Sequence, residues 1–263
     1  MIIALTCYNR LHTLQRTIES LMKCTGIEKV PIYYFADGGE GIGEVRAYIT
    51  VKKRQIDKIF FQSENLGLKK NTLQAIQKAF EDNDKVIWLQ DDMEFSKDFL
   101  EFMEFALNEY EKDEEIMFVS GYAPATHHSL YLSSYFSEAV GMWKHKFNLQ
   151  LEFGNDLKAY QKFAGDMAYN QLLSAKKGKD VISAYLNYSM FRNNAYCLHP
   201  NRNKLKHIIT ENTTNCNKKV VKILNQNLIE GFSKRIDSGI IPLPYQYSIF
   251  KKLTRWISNG MVI

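Results

Sequence analysis

Val86-Ile87-Trp88-Leu89-Gln90-Asp91-Asp92-Met93-Glu94 is the stretch whose reading decides the fold. Four β-formers, Val86 to Leu89, carry the chain into a core, and the run ends abruptly in acid at Asp91, Asp92 and Glu94. Strands buried on both faces read as continuous apolar runs, so this one predicts a parallel strand delivering carboxylates to the C-terminal edge of a sheet. Open α/β sheets bind ligands at that edge. Adjacent carboxylates repel one another unless a cation lies between them, and all-oxygen ligands suit Mg²⁺ or Mn²⁺ shared with a substrate phosphate. The competing reading is a set of acids that merely open the next helix, whose N-terminus favours negative charge.

Outward from this run, strand and helix alternate. Strands are expected at Ile2–Thr6, Val30–Ala36, Lys58–Gln62 and Met117–Ser120, with helices at Leu11–Met22, Gly43–Val51, Lys69–Phe80 and Lys97–Tyr110. The helix assignments rest on apolar residues recurring at i, i+3 and i+4, as at Leu11, Leu14, Ile18 and Leu21. Such alternation predicts βαβ units: an α/β fold with a mostly parallel sheet flanked by helices. Past Gly121 the pattern breaks. A β-ribbon is expected over Tyr131–Ala139, helices over Asp166–Leu173 and Ala184–Asn193, and a short strand at Leu205–Ile209. This predicts an α/β half over residues 1–120 and a less regular acceptor and lid region over 121–263.

The chain has 263 residues, 45% of them apolar and 24% charged, ordinary for a globular protein with a substantial core. It contains no apolar run of membrane-spanning length, and Met1–Leu5 lacks the basic start of a secretion signal. The four cysteines show no zinc-site spacing, so a reduced, cytoplasmic setting is expected. Charge is uneven. From Asn201 onward eleven Lys and Arg stand against three acids, and Ile249, Phe250, Leu253, Trp256 and Ile257 interleave with Lys251, Lys252 and Arg255. That pattern suits peripheral contact with an anionic membrane face, or a helix packed on its own domain. No nucleic-acid-binding motif accompanies it.

Polar groups gather after each expected strand: Thr6-Cys7-Tyr8-Asn9-Arg10, then Asp37, then Asn65-Leu66-Gly67, then Asp91-Asp92. Together they outline a nucleotide crevice. Neither Gly-x-Gly-x-x-Gly nor Gly-x-x-x-x-Gly-Lys-Ser/Thr is present, which argues against a dinucleotide fold and against a P-loop. A metal on Asp92, with Glu94 as a second ligand, is the economical way to neutralise a pyrophosphate.

Ala4-Leu5-Thr6-Cys7-Tyr8-Asn9-Arg10, Phe35-Ala36-Asp37-Gly38, Glu64-Asn65-Leu66-Gly67 and Leu89-Gln90-Asp91-Asp92-Met93-Glu94 resemble, in that order, the motifs of inverting GT-A glycosyltransferases. The chain is similar to the bacterial family 2 enzymes and to the Golgi N-acetylglucosaminyltransferases that initiate complex N-glycans. The resemblance implies a nucleotide-sugar donor, commonly uridine-linked, and a metal at Asp92. It implies that Asp37 meets the nucleobase, that Thr6, Tyr8 and Arg10 line its pocket and that Asp91 meets the ribose or sugar, with Asn65 and Gln90 nearby. Gln90 stands where many relatives carry an acid. Ala139 to Lys144 resembles a loop whose tryptophan, here Trp143, covers the donor sugar; an ordinary core tryptophan is the other reading. An inverting transfer needs a carboxylate to take the acceptor's proton. Asp180 is the first choice and Asp166, in Gly165-Asp166-Met167, the second; either residue also suits a helix cap. Lys69 and Lys70, at an expected helix start facing the crevice, are candidates to stabilise the leaving diphosphate; solvated surface lysines are the other and favoured reading. The expected acceptor is a glycan or lipid-linked hydroxyl at the inner face of a membrane. Two other readings stand beside this one: a sugar-phosphate nucleotidyltransferase, and a nucleotide-sugar binder that has lost catalysis.

Overall fold

A computed structural model describes residues 1–123, 127–135, 138–208 and 227–240. Four parallel strands, β1 (Ile2–Cys7), β2 (Ile32–Ala36), β3 (Lys58–Phe61) and β4 (Lys85–Gln90), are linked by helices α1 (Leu11–Leu21), α2 (Gly43–Lys52) and α3 (Gly67–Asp82). After the short strand β5 (Met93–Phe95) come α4 (Phe99–Glu109), β6 (Ile116–Ser120), β7 (Leu130–Ser133) and β8 (Val140–Trp143). Helices α5 (Leu157–Lys176) and α6 (Ile182–Arg192), then β9 (Tyr196–His199), β10 (Leu205–His207) and β11 (Ile236–Ile240), complete the described elements.

The apolar runs are continuous because both faces of the central strands are covered. Ile3, Leu5, Ile87 and Leu89 pack with Leu14 and Ile18 of α1 and Phe102 and Met103 of α4. Ile2, Ala4, Val86 and Trp88 point the other way, into a cluster with Ala75, Ile76 and Ala79 of α3 and Leu186 and Met190 of α6. The two-residue period of a strand makes this division, and full burial of each large side chain contributes about 1.5–3 kcal/mol.

The main sheet has nine strands in the order β11-β7-β9-β6-β8-β4-β1-β2-β3. It runs unbroken across residue 121, so the two expected regions share one sheet. Through residue 120 the expected elements are present, with ends shifted by one or two residues. Among the described residues of 131–139 no two strands pair as the expected ribbon. Instead β7 pairs antiparallel with β9, while β8 enters antiparallel between β4 and β6. All four residues of β8 are buried, which suits the sheet interior rather than an edge hairpin. The basic segment over 249–257 lies outside the described residues.

Burial in β8 also decides the role of Trp143. Its side chain is fully buried and its Nε1–H donates to the Leu107 carbonyl at 2.8 Å, so it is a core tryptophan and not a sugar platform. Trp143→Phe should lower stability by about 1–2 kcal/mol, the usual cost of leaving one buried acceptor unpaired. Thermal melting and donor kinetics together check this, with the donor KM expected to stay unchanged.

Candidate active site

Strand β1 lies between β2 and β4, so the chain leaves it first toward one side of the sheet and later toward the other. Such a switch point opens a crevice at the C-terminal strand ends. Tyr8 to Arg10 emerge from β1 at this point, Asp37 from β2, and Asp91 and Asp92 from β4. Parallel register sets Thr6 beside Gln90 and Cys7 beside Ala36, which aligns the three exits.

Arg10 binds the acidic doublet. Its guanidinium donates to Asp91 Oδ1 through one nitrogen and to Asp92 Oδ2 through the other, the second bond at 3.0 Å. The Asp91 side chain is almost wholly buried, and burial pushes its carboxyl up to about 6, opposed by the Arg10 charge and reinforced by Asp92. Asp92 Oδ1 is buried with no hydrogen-bond partner among the described residues. The backbone carbonyl of Asp92 accepts the Ile208 N–H at 2.8 Å, and β10 pairs antiparallel with β5, which brings His207 opposite Met93. His207 Nε2 lies 3.9 Å from Glu138 Oε1, and burial raises the Glu138 carboxyl, with Asp92 adding to the effect. Glu138 is a site neighbour that sequence reading missed, because no local pattern surrounds it.

Asp37 organises the rim. Its Oδ1 accepts the Gly38 and Leu66 N–H groups at 2.9 and 2.8 Å, and its Oδ2 accepts the Gly67 N–H at 3.0 Å. The Asn65 side chain also accepts the Gly67 N–H, at 2.9 Å. Gly38 is required by close approach, since a Cβ there would overlap the Glu64 backbone. Tyr8, half-buried, lies over Gly39: a Cβ on that glycine would sit 2.9 Å from the Tyr8 hydroxyl. Asp37, Asn65 and Tyr8 are therefore brought together at one end of the crevice.

Other expected residues are engaged elsewhere. Thr6 is buried, and its hydroxyl donates to the Leu89 carbonyl at 3.2 Å and accepts Trp88 Nε1–H at 3.0 Å, so it ties β1 to β4 instead of facing a ligand. Glu94 is taken by two cations, Arg16 at 2.6 Å and Lys206 at 2.9 Å, which lower its carboxyl and leave it poorly suited to a metal. Gln90 is half-buried at the end of β4, and Lys70 is exposed in the first turn of α3. Among the described residues no three His, Cys, Asp or Glu side chains are grouped to hold a metal.

Residues 2–171 match the family described as Glycosyl transferase family 2. The chain belongs to that family. No sequence among curated proteins matches it. Among solved structures, S. aureus TarS 1–349 in complex with UDP is similar with a TM-score of 0.53 at 11% identity, covering 80% of this chain and 60% of that one. The same protein in complex with UDP-GlcNAc gives a TM-score of 0.53 at 11% identity, over 80% and 58%. This chain thus spans less than two thirds of either TarS chain. The likeness shows a shared GT-A fold.

The segment matching family 2 glycosyltransferases includes Asp166 and ends before Asp180. Helix α5 is broken at Gly165 (φ 80°, ψ 175°), so Asp166 opens a second helical segment. Its carboxylate is exposed, and Oδ1 accepts Gln161 Nε2–H at 2.9 Å. Asp180 sits just ahead of α6, and its Oδ1 accepts the backbone N–H of Lys69 in α3 at 2.8 Å.

The described cysteines Cys7, Cys24 and Cys197 are buried, and no described helix is long and apolar enough to cross a membrane.

Proposed function

We propose that this family 2 glycosyltransferase moves a sugar from a uridine diphosphate donor to a hydroxyl of a glycan or lipid-linked acceptor, with inversion at the anomeric carbon. One observation carries the reading: Asp37, Arg10, Asp91 and Asp92 converge at the carboxyl ends of β2, β1 and β4, where the strand order reverses. In this reading Asp37 and Tyr8 hold the nucleoside end through the loops they fix. Arg10 lies beside the diphosphate, and Asp91 orients the ribose or sugar.

A divalent ion fits the site in a limited way. Buried Asp92 Oδ1 has no partner among the described residues and offers one oxygen, and His207 reaches the neighbourhood through the β10–β5 pairing. One or two protein ligands, with phosphate oxygens completing the shell, are the usual arrangement for Mg²⁺ and its analogues. When bound, such an ion neutralises charge on the departing diphosphate. Asp166, exposed at the helix break, is the proposed base that accepts the proton of the attacking hydroxyl. The basic residues past Asn201 suit an anionic membrane face carrying a lipid-linked acceptor.

A thermal-shift series with UDP, GDP and dTDP, each with and without Mn²⁺, tests the donor class. UDP with Mn²⁺ at about a hundred times its Kd should add about 2.7 kcal/mol of stability, and the other nucleotides far less. A larger shift with GDP or dTDP would reject the uridine assignment. Sugar release from the donor then separates a catalyst from a binder.

A further inference from the structure

Helix α3 has little capping from its own approach: Leu66 precedes it with no side-chain bond to its first turn, and Asn65 accepts only the Gly67 N–H. The first N–H groups of any helix lack intrahelical partners. Beside Asn65, they are served from far away in sequence. Asp37 takes the Gly67 N–H, and Asp180, 111 residues further along than Lys69, takes the Lys69 N–H at 2.8 Å. Asp180 also crowds Gly67, where a Cβ would lie 2.7 Å from Asp180 Oδ2 and where φ is +76°, a conformation that glycine adopts without strain. The same turn is fastened a second time. Lys69 Nζ stands 4.6 Å above the ring of Tyr185 in α6 and 3.4 Å from its hydroxyl.

We propose that Asp180 is a positioning residue and not the base: it caps α3 from the acceptor side and so holds the Glu64–Gly67 loop in the shape that the donor pocket requires. The inference rests on the proposed glycosyl transfer only for its kinetic consequence. The physical ground is the use to which the carboxylate is put. A carboxylate oxygen bonded to a backbone N–H at a helix start is held in place by that bond. A base needs to swing to a hydroxyl and take up a proton. Through Asp37 on one side and Asp180 on the other, the loop is clamped between β2 and the approach to α6, so a shift of α6 on acceptor binding would be felt at the nucleotide.

The experiment compares Asp180→Asn with Asp180→Ala. Asparagine keeps an oxygen that accepts the Lys69 N–H but cannot act as a base; alanine keeps neither property. For Asp180→Ala, donor KM should rise about tenfold with kcat within about threefold of wild type, because lost binding without lost transition-state contact appears in KM. Asp180→Asn should bring KM most of the way back. Hydrogen exchange at the Lys69 amide, read without any substrate, should quicken in Asp180→Ala and stay slow in Asp180→Asn. Loss of kcat in the asparagine variant with Lys69 still protected would overturn the proposal and make Asp180 the proton acceptor. Unchanged Lys69 exchange in the alanine variant would also overturn it, by removing the cap. If the alanine variant does not fold, the asparagine variant decides alone, through kcat and Lys69 protection together. A wild-type chain that turns over no nucleotide-sugar would instead sink the proposed function, and the exchange result would still judge the cap.

Discussion

Asp166→Asn is expected to lower kcat about a thousandfold and leave the donor KM within a factor of about two, since general-base catalysis supplies roughly 10²–10⁴ in rate. Asparagine preserves the size of the side chain and the oxygen that accepts from Gln161, so the helix break at Gly165 should survive. What it removes is proton affinity. Asp166 is exposed and bonded only to the Gln161 side chain among the described residues, whereas Asp180 accepts a backbone N–H at a helix start. The check is steady-state transfer to an acceptor alongside donor hydrolysis. A variant with full transfer activity would rule out the base assignment. Loss of donor affinity instead of rate would make Asp166 a structural residue.

The first half of the chain was legible because its physics is local. A strand buried on both faces has to be apolar throughout, so Val86–Leu89 announced itself, and the polar residues after each strand marked the edge at which the crevice opens. The remainder depends on partners that no short window contains. β8 is four residues long and takes its place only because β4 and β6 leave room between them. Trp143 was readable as an aromatic on a loop; its meaning came from a carbonyl in α4. Glu94 looked like part of an acidic ligand set until Arg16 and Lys206 arrived from α1 and β10. The three-residue strand that carries His207 to the site is too short to give a periodic signal. Asp180 shows the same limit most plainly, because its partner amide is remote in the chain.

Arg10→Ala should destabilise the protein by about 2–3 kcal/mol at pH 7.5 and abolish most donor turnover. Removing one partner of a buried ion pair costs about 3–5 kcal/mol, and the partial exposure of Arg10 places the effect toward the lower end. The mechanism is electrostatic. Asp91 is almost wholly enclosed, Asp92 Oδ1 has no partner among the described residues, and the guanidinium is the cation that bonds both carboxylates. Without Arg10 the doublet still demands a cation, and that demand distinguishes the two ways in which the site is able to satisfy it. If Asp92 accepts a divalent ion, Mn²⁺ should raise the melting temperature of Arg10→Ala more than that of wild type, because in wild type the ion competes with a charge already in place. The measurement is thermal melting of both proteins across a Mn²⁺ titration with no nucleotide present. Equal shifts would mean that Arg10 and the ion occupy independent positions. No shift in either protein would mean that the acidic doublet alone does not hold the metal, leaving the donor's phosphates to bring it.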